Sequence, residues 1–431
     1  MLEPNNQTRH WTFWRRFQTL FAIYFFFLIF DFTSSDELFP HFIYVIMKYY
    51  TSFWNWLVPW TGAHILHLSY PISVKPNGSG DTTFNYVLQL LWLTFTIIIA
   101  SVWALFDKRR SFYPQFSYWS RIVIRYYLAY MLFVYGFVKV IKLQFPFPSL
   151  ITLSQTYGDS SPMGLAWTFI GYSTGYNMYI GGAEVLAGVF LFFKRTTLLG
   201  ALLAMTVMAN VFAMNLAYDI PVKVFSLNLL FMATWIAWKD LDRLVGFFIT
   251  HTPVLPRPEG YPFKIKWKKI IQLSLKAVAI GFTIYSTAWN FYKASKTYGD
   301  NAAKPPLYGI YDVKSFSVNG KETQPLTTDN TRWKRMIINY PGNVRITTMP
   351  DSSEWMKLKL DLKAKTAEFT SSTDSTDTFK LKFTRPNKTQ LFLEGKMQNR
   401  QVKIELKRFD ETQFPLIKTG FNWINEYPNN R

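Results

Sequence analysis

Gly181-Gly182-Ala183-Glu184, Lys194-Arg195 and Tyr218-Asp219-Ile220-Pro221-Val222-Lys223 punctuate the stretch from Tyr172 to Lys239, and what lies between them is almost wholly apolar. Each apolar segment comes near the roughly 20 residues a helix needs to cross a bilayer. A dibasic pair and a proline-containing corner are suitable punctuation between such helices. The stretch therefore reads as three membrane spans, at residues 175–193, 196–217 and 222–238, and it makes the chain a multi-pass helical membrane protein. One residue is out of place. Glu184 sits in the middle of its segment, and a carboxylate at that depth costs about 2.5 kcal/mol or more, so it calls for a partner or a purpose.

Outward from this stretch, long apolar blocks continue to about Asn290 and then stop. The 431 residues are 49% hydrophobic and 19% aromatic, with 40 Phe, 25 Tyr and 16 Trp, too much aromatic side chain for an ordinary soluble domain. A mean hydropathy of only +0.03 averages two materials, a membrane-like part and a polar, strand-like part. Spans are expected at Phe17–Phe30, Phe84–Phe106, Arg121–Ile141 and Ile270–Trp289 in addition to the three above, about seven in all. The segment from Leu38 to Leu68, broken by Pro40, Lys48 and Pro59 and rich in Trp and Tyr, reads as an interfacial helix. Pro146, Pro148 and Pro162 mark a long loop between the third and fourth spans.

The net charge of +20 resides largely in residues that flank apolar segments: Arg15-Arg16, Lys108-Arg109-Arg110, Arg121 with Arg125, Lys194-Arg195 and the run from Lys264 to Lys269. Topology explains that charge without a nucleic-acid partner. It puts the N-terminus in the cytoplasm and, with an odd number of spans, the C-terminal domain on the far side of a bacterial inner membrane, in the periplasm. Zero cysteines remove disulfides, thiolate metal sites and thiol chemistry from the chain itself.

After the linker at Pro305-Pro306, residues 335–340, 344–348, 355–362, 366–370, 379–383, 391–395 and 402–407 alternate apolar with polar, with turn residues between. Period two read this way gives a C-terminal all-β antiparallel meander, a small barrel or sandwich with a lipocalin-like form among the options. The aromatic ending Phe421 to Pro428 is a candidate plug for a barrel mouth or for packing back on the membrane region. The organisation expected is thus 1–120, an N-terminal membrane region with two spans and the interfacial helix; 121–245, a four-helix core; 246–300, an inner loop and seventh span; and 301–431, an extracytoplasmic β domain.

Glu184 lies roughly 15 Å from the inner surface, counted from Lys194 at 1.5 Å per residue. Candidate partners are Arg125 and Lys139 on the third span and Lys223 at the start of the sixth, with Asn210, Asn215 and Asn228 adding polar groups. Gly171, Gly175, Gly182 and Gly188 would let neighbouring helices come close to the carboxylate. Two readings stay open, a polar pocket between spans or a structural ion pair that locks the bundle. His64 and His67 share a helical face, but no acid or cysteine completes a ligand set, and no metal site is expected.

Tyr135-Gly136-Phe137-Val138-Lys139, the run from Gly182 through Glu184 and Gly188 to Arg195, and Asp219-Ile220-Pro221-Val222-Lys223 resemble the DoxX-like family of four-helix membrane proteins. The likeness covers residues 121–238, and the whole chain is similar to a longer form of DoxX-like protein from Bacteroidetes that carries a β-rich tail. The resemblance implies a helical bundle and, in some members, association with thiosulfate or quinone oxidoreduction, with Arg125, Lys139, Glu184 and Lys223 as the positions that carry over. The expected function is then a binding or auxiliary membrane protein that holds a lipid, quinone or partner helix in its bundle and docks an envelope protein or ligand through its β domain. The alternatives are a membrane subunit of a quinone-linked oxidoreductase, with Glu184 handling a proton, and a proton-coupled transporter.

Overall fold

In the computed structural model, residues 11–33, 41–106, 114–254, 266–374 and 376–428 are described. The basic run Lys108-Arg109-Arg110, the side chains of Arg15 and Arg16, Lys264 and most of the proline-rich loop before it lie outside the described residues. The chain divides into two compact units, one of residues 1–145 with 173–295 and one of residues 146–172 with 296–431.

The first unit is helical: α1 (Trp11–Thr33), α2 (His41–His64), α3 (Thr83–Phe106) and α4 (Pro114–Val140) precede the excursion into the other unit. That excursion carries α5 (Leu150–Ser154) and α6 (Pro162–Tyr172), after which α7 (Thr174–Phe192), α8 (Thr197–Ala217), α9 (Lys223–Trp238), α10 (Leu241–Phe248) and α11 (Lys266–Ser295) return to the helical unit. Among the described residues, four stretches are long and apolar enough to cross a membrane: Thr83–Trp103, Gln115–Val140, Lys194–Ala217 and Lys269–Ser295. Leu20–Asp31 and Lys223–Trp238 are shorter apolar helices.

Helix α4 is the axis of this unit, packing along α7 and touching α1, α9 and α11. Glycines set its approach to α7. A Cβ at Gly181 would stand 2.5 Å from the Gly136 carbonyl oxygen, one at Gly136 would stand 2.7 Å from that of Gly181, and one at Gly188 would strike the Phe133 ring at 2.7 Å. The two backbones touch where only hydrogen fits between them. Gly181, not Gly182, makes the contact: Gly182 faces open space and Gly171 belongs to α6, so of the four glycines expected at the interface Gly188 is the one that α4 contacts. Gly188 comes seven positions after Gly181, two turns along one face of α7. On the other side, α1, α2 and α3 meet through aromatic rings, with Phe27 stacked on Trp92 at 6.5 Å and Trp54 edge-on to Trp92 at 6.3 Å.

The second unit is a barrel. Strands β1 (Gly309–Val318), β2 (Lys321–Glu322), β3 (Trp333–Ile338), β4 (Asn343–Thr348), β5 (Ser353–Asp361), β6 (Thr366–Ser371), β7 (Thr378–Thr384), β8 (Gln390–Met397) and β9 (Arg400–Phe409) are antiparallel neighbours. β1 also pairs with β9, from Ile310 opposite Phe409 to Val318 opposite Val402, which closes the meander. Eight strands form the ring and β2 is a two-residue appendage to β1. A ring of eight leaves an interior about wide enough for side chains. Here the middle is occupied by large ones: Trp333 lies 5.7 Å from Phe369 and 6.2 Å from Phe379, and Phe369 stacks on Phe379 at 5.2 Å.

The expected loop between the third and fourth spans departs from its reading. It carries helices, and Leu150 and Ile151 of α5 pack on the outer face of the barrel with Ile310, Ile337, Tyr308 and Phe409. Asn339 accepts a hydrogen bond from the Leu150 amide at 3.0 Å, and Asp300 accepts one from the Phe147 amide at 2.7 Å. The aromatic ending does not plug the barrel: after α12 (Pro415–Lys418), Phe421, Trp423, Ile424 and Tyr427 are 76–90% exposed. The interior that would have received them is already filled by Trp333, Phe369 and Phe379.

Candidate functional site: a buried ion pair between two helices

Lys139, one residue before the end of α4, and Glu184, in the middle of α7, meet at 2.8 Å between Nζ and Oε2. Both are buried, at 7% and 1% side-chain exposure. The ammonium also donates to the Tyr135 carbonyl at 3.2 Å and lies 5.6 Å from the centre of the Tyr135 ring. Local sequence dictates the meeting. Tyr135 and Lys139 are one turn apart on α4, and the Gly136–Gly181 crossing lies between them and Glu184, close enough for a lysine stem to reach a glutamate on the facing helix. The pair is therefore short, buried and set against backbone that cannot separate without losing the glycine contact.

The other candidates go elsewhere. Arg125, three to four turns back along α4, donates to the Thr197 hydroxyl at 2.9 Å and its guanidinium lies 5.2 Å from the Tyr126 ring centre. Lys223 pairs with Asp219 at 2.8 Å and stands 3.8 Å from Asp81. Asp81 explains its place: one carboxylate accepts from the amides of Lys223 at 2.7 Å and Val224 at 3.0 Å, capping the first turn of α9 with negative charge. Asn215 is buried and donates to Ser226 at 2.9 Å and to the Val222 carbonyl at 3.3 Å, tying α8 to α9. Asn228 accepts from the Tyr24 hydroxyl at 2.8 Å and donates to Gln89 at 3.1 Å. Asn210 is exposed. Six of the seven residues thus form separate small contacts, and among the seven only Lys139 and Glu184 share one.

Tyr24 and Gln89 escaped the sequence reading. With Asn228 they make a closed polar triangle among α1, α3 and α9, the single Tyr24 hydroxyl proton facing the side-chain oxygens of both Asn228 and Gln89. A neutral Tyr or Gln in an apolar run costs too little to stand out, whereas a charge does. Lys142 was also missed; its ammonium reaches the Thr174 hydroxyl at 3.3 Å beside the start of α7. His64 stacks on Trp60 at 5.1 Å and its Nδ1 is 3.0 Å from the Trp60 carbonyl. Among the described residues no group of three or more His, Cys, Asp or Glu could hold a metal ion.

Where α9 ends, outside the apolar stretch, Asp240 takes Arg243 Nη1 at 2.8 Å and Arg121 Nη2 at 3.3 Å. Burial opposes ionisation of its carboxyl, but the hydrogen bonds and charges of the two arginines outweigh burial and hold it below the usual carboxylate range.

The class that these units define is a helical membrane protein joined to a C-terminal antiparallel β-barrel. The chain is 36% identical over 124 residues to the uncharacterized protein YwoB of Bacillus subtilis (strain 168), a match that takes in 29% of this chain and 79% of that protein. The chain belongs to the family of that protein. No family model matches it, and no solved structure does.

Proposed function

We propose that this is a seven-span DoxX-like membrane protein of auxiliary or binding function, whose bundle holds a lipid, quinone or partner helix beside the Lys139–Glu184 pair. Its β domain then stands in the periplasm of a bacterial cell as the docking element for an envelope partner or ligand, and the N-terminus is cytoplasmic. The observation that carries this reading is the pair itself. A buried acid and base, 2.8 Å apart across a glycine crossing, give the bundle a fixed polar centre from which a ligand or a neighbouring helix can be recognised. The four long apolar stretches support the membrane assignment; on this reading α1, α7 and α9 serve as the three further spans, and the shorter apolar stretches Leu20–Asp31 in α1 and Lys223–Trp238 in α9 support two of them.

A second reading rests on the same pair. A carboxylate and an ammonium in contact at membrane depth are equipped to pass a proton, which suits a subunit of quinone-linked oxidoreduction. The two are separated by mass spectrometry of small molecules extracted from the detergent-purified protein, wild type beside Glu184→Gln. A molecule near one per chain that disappears from the variant supports binding at the bundle, and a quinone in that role with reduction lost in Glu184→Gln membranes moves the second reading ahead. Bulk phospholipid alone in both samples sinks binding at this site.

A further inference from the structure

At the end of the helical unit away from Lys139, one carboxylate serves two guanidinium groups. Asp240 is 3% exposed in its side chain and accepts from Arg121 and Arg243 on opposite oxygens, so the three groups together carry one net positive charge. Two of the arginines' own donors have no hydrogen-bond partner although they are buried: Arg121 Nη1 and Arg243 Nε. Buried N–H and O–H groups are ordinarily satisfied, and guanidinium N–H groups carry the largest penalty when they are not. The site is short of acceptors, not of donors. A carboxylate has already filled one side of each fork, and what remains asks for a compact anion with several oxygens.

The neighbouring helix supplies the second observation. Asp240 stands at the head of α10, whose Leu241, Phe247 and Phe248, with Ile249 just after it, are 43–70% exposed. Gly246 is buried on the opposite side. A short amphipathic helix with apolar residues outward and arginine at its root is built to lie in the headgroup region, apolar face in the acyl chains. Basic groups at that depth attract anionic lipid, and the guanidinium fork matches phosphate geometry.

From these we infer that Arg121 and Arg243 form a binding site for the phosphate of an anionic phospholipid headgroup, held over Asp240 while α10 lies along the acyl chains. Arg243, 31% exposed, is the arm that turns to admit the ligand, and Arg121 is the fixed wall. This site is independent of the Lys139–Glu184 reading and stands or falls without it.

The test is native mass spectrometry and thermal unfolding of the intact, detergent-purified protein, titrated with phosphatidylglycerol, phosphatidylcholine or inorganic phosphate, for wild type and Arg243→Gln. Loss of one charge-assisted contact should weaken phosphatidylglycerol binding by about tenfold. Selective retention of phosphatidylglycerol over phosphatidylcholine, lost in Arg243→Gln, is the expected result. A melting shift with inorganic phosphate alone, also lost in Arg243→Gln, supports the phosphate site and makes a free anion its source. Equal retention of both lipids, unchanged in Arg243→Gln and with no response to phosphate, overturns the proposal. Because Arg243 is partly exposed, its variant should fold; Arg243→Lys, which keeps the charge and loses the fork, should fall between the two.

Discussion

The two units of this chain are inside out with respect to each other. The helical unit hides charge and shows hydrocarbon: Glu184, Lys139 and Arg125 are buried while Ile97, Leu105, Leu273 and Val278 are 61–68% exposed. The barrel does the reverse. Phe316, Leu381, Leu391 and Ile404 are at most 1% exposed, and Lys357, Lys359, Lys380, Lys382, Lys403 and Lys407 face outward between them. The difference records two solvents. In hydrocarbon there is little to gain from hiding an apolar side chain, so packing and polar contact between helices must hold the unit together. In water the apolar interior is the main driving force, and the lysines on alternate positions keep the outer face soluble.

That contrast can be broken by mutation, and the largest effect is expected at the ion pair. Glu184→Ala leaves the Lys139 ammonium buried against the Gly136–Gly181 crossing, and removal of one member of a buried pair typically costs about 3–5 kcal/mol. Unfolding of the detergent-solubilised protein should show this loss, and Lys139→Met with Glu184→Met should recover most of it. A double variant as unstable as the single one would mean that the pair, and not the orphaned charge, carries the stability. In the barrel, Phe369→Ala removes a ring that stacks on Phe379 and meets Trp333, at about 3 kcal/mol for the cavity and lost burial. It should lower the barrel's unfolding transition and leave the helical one in place. A common shift of both transitions would show that the two units unfold as one.

The smallest effect is a pH dependence at Asp240. Its folded value is depressed, so its contribution is fully present above the unfolded carboxylate value and is lost as pH falls through the lower folded value. Acid unfolding of wild type should therefore steepen below the ordinary carboxylate range relative to Asp240→Asn. Superimposable acid limbs would mean that the two arginines do not act on this carboxylate.

How far the sequence could be read follows the same division. Glu184 announced itself because charge is costly in hydrocarbon, and the same argument restricted its partner to the few cations on neighbouring spans. Arg125 and Lys223 were equal candidates to Lys139, since nothing local says that Thr197 or Asp81 will claim them. In the barrel, seven strands from Arg335 onward showed their period because one face is wet. β1 did not. Ile310 and Tyr311 are buried in succession, Tyr311 inward and Ile310 outward beneath Leu150, and a bulge between Val313 and Ser315 shifts the register. Burial on both faces erases alternation. The assignment of residues 146–172 to the barrel was illegible for a related reason: its contacts are with strands far along the chain, and no local pattern reports them.

That excursion also sets an order of events during synthesis. Leu150 and Ile151 emerge from the ribosome before any surface exists for them, because Ile310 and Ile337 come later and Phe409 roughly 260 residues further along, a wait of some 10 to 50 s at ordinary elongation rates. Through that interval the apolar side of α5 has no barrel surface to cover it. The last strand to be made, β9, both closes the ring against β1 and completes the seat for α5. Barrel closure and the shelter of that helix are therefore one event, and a chain that stalls before Phe409 would carry the mark of its own incompleteness.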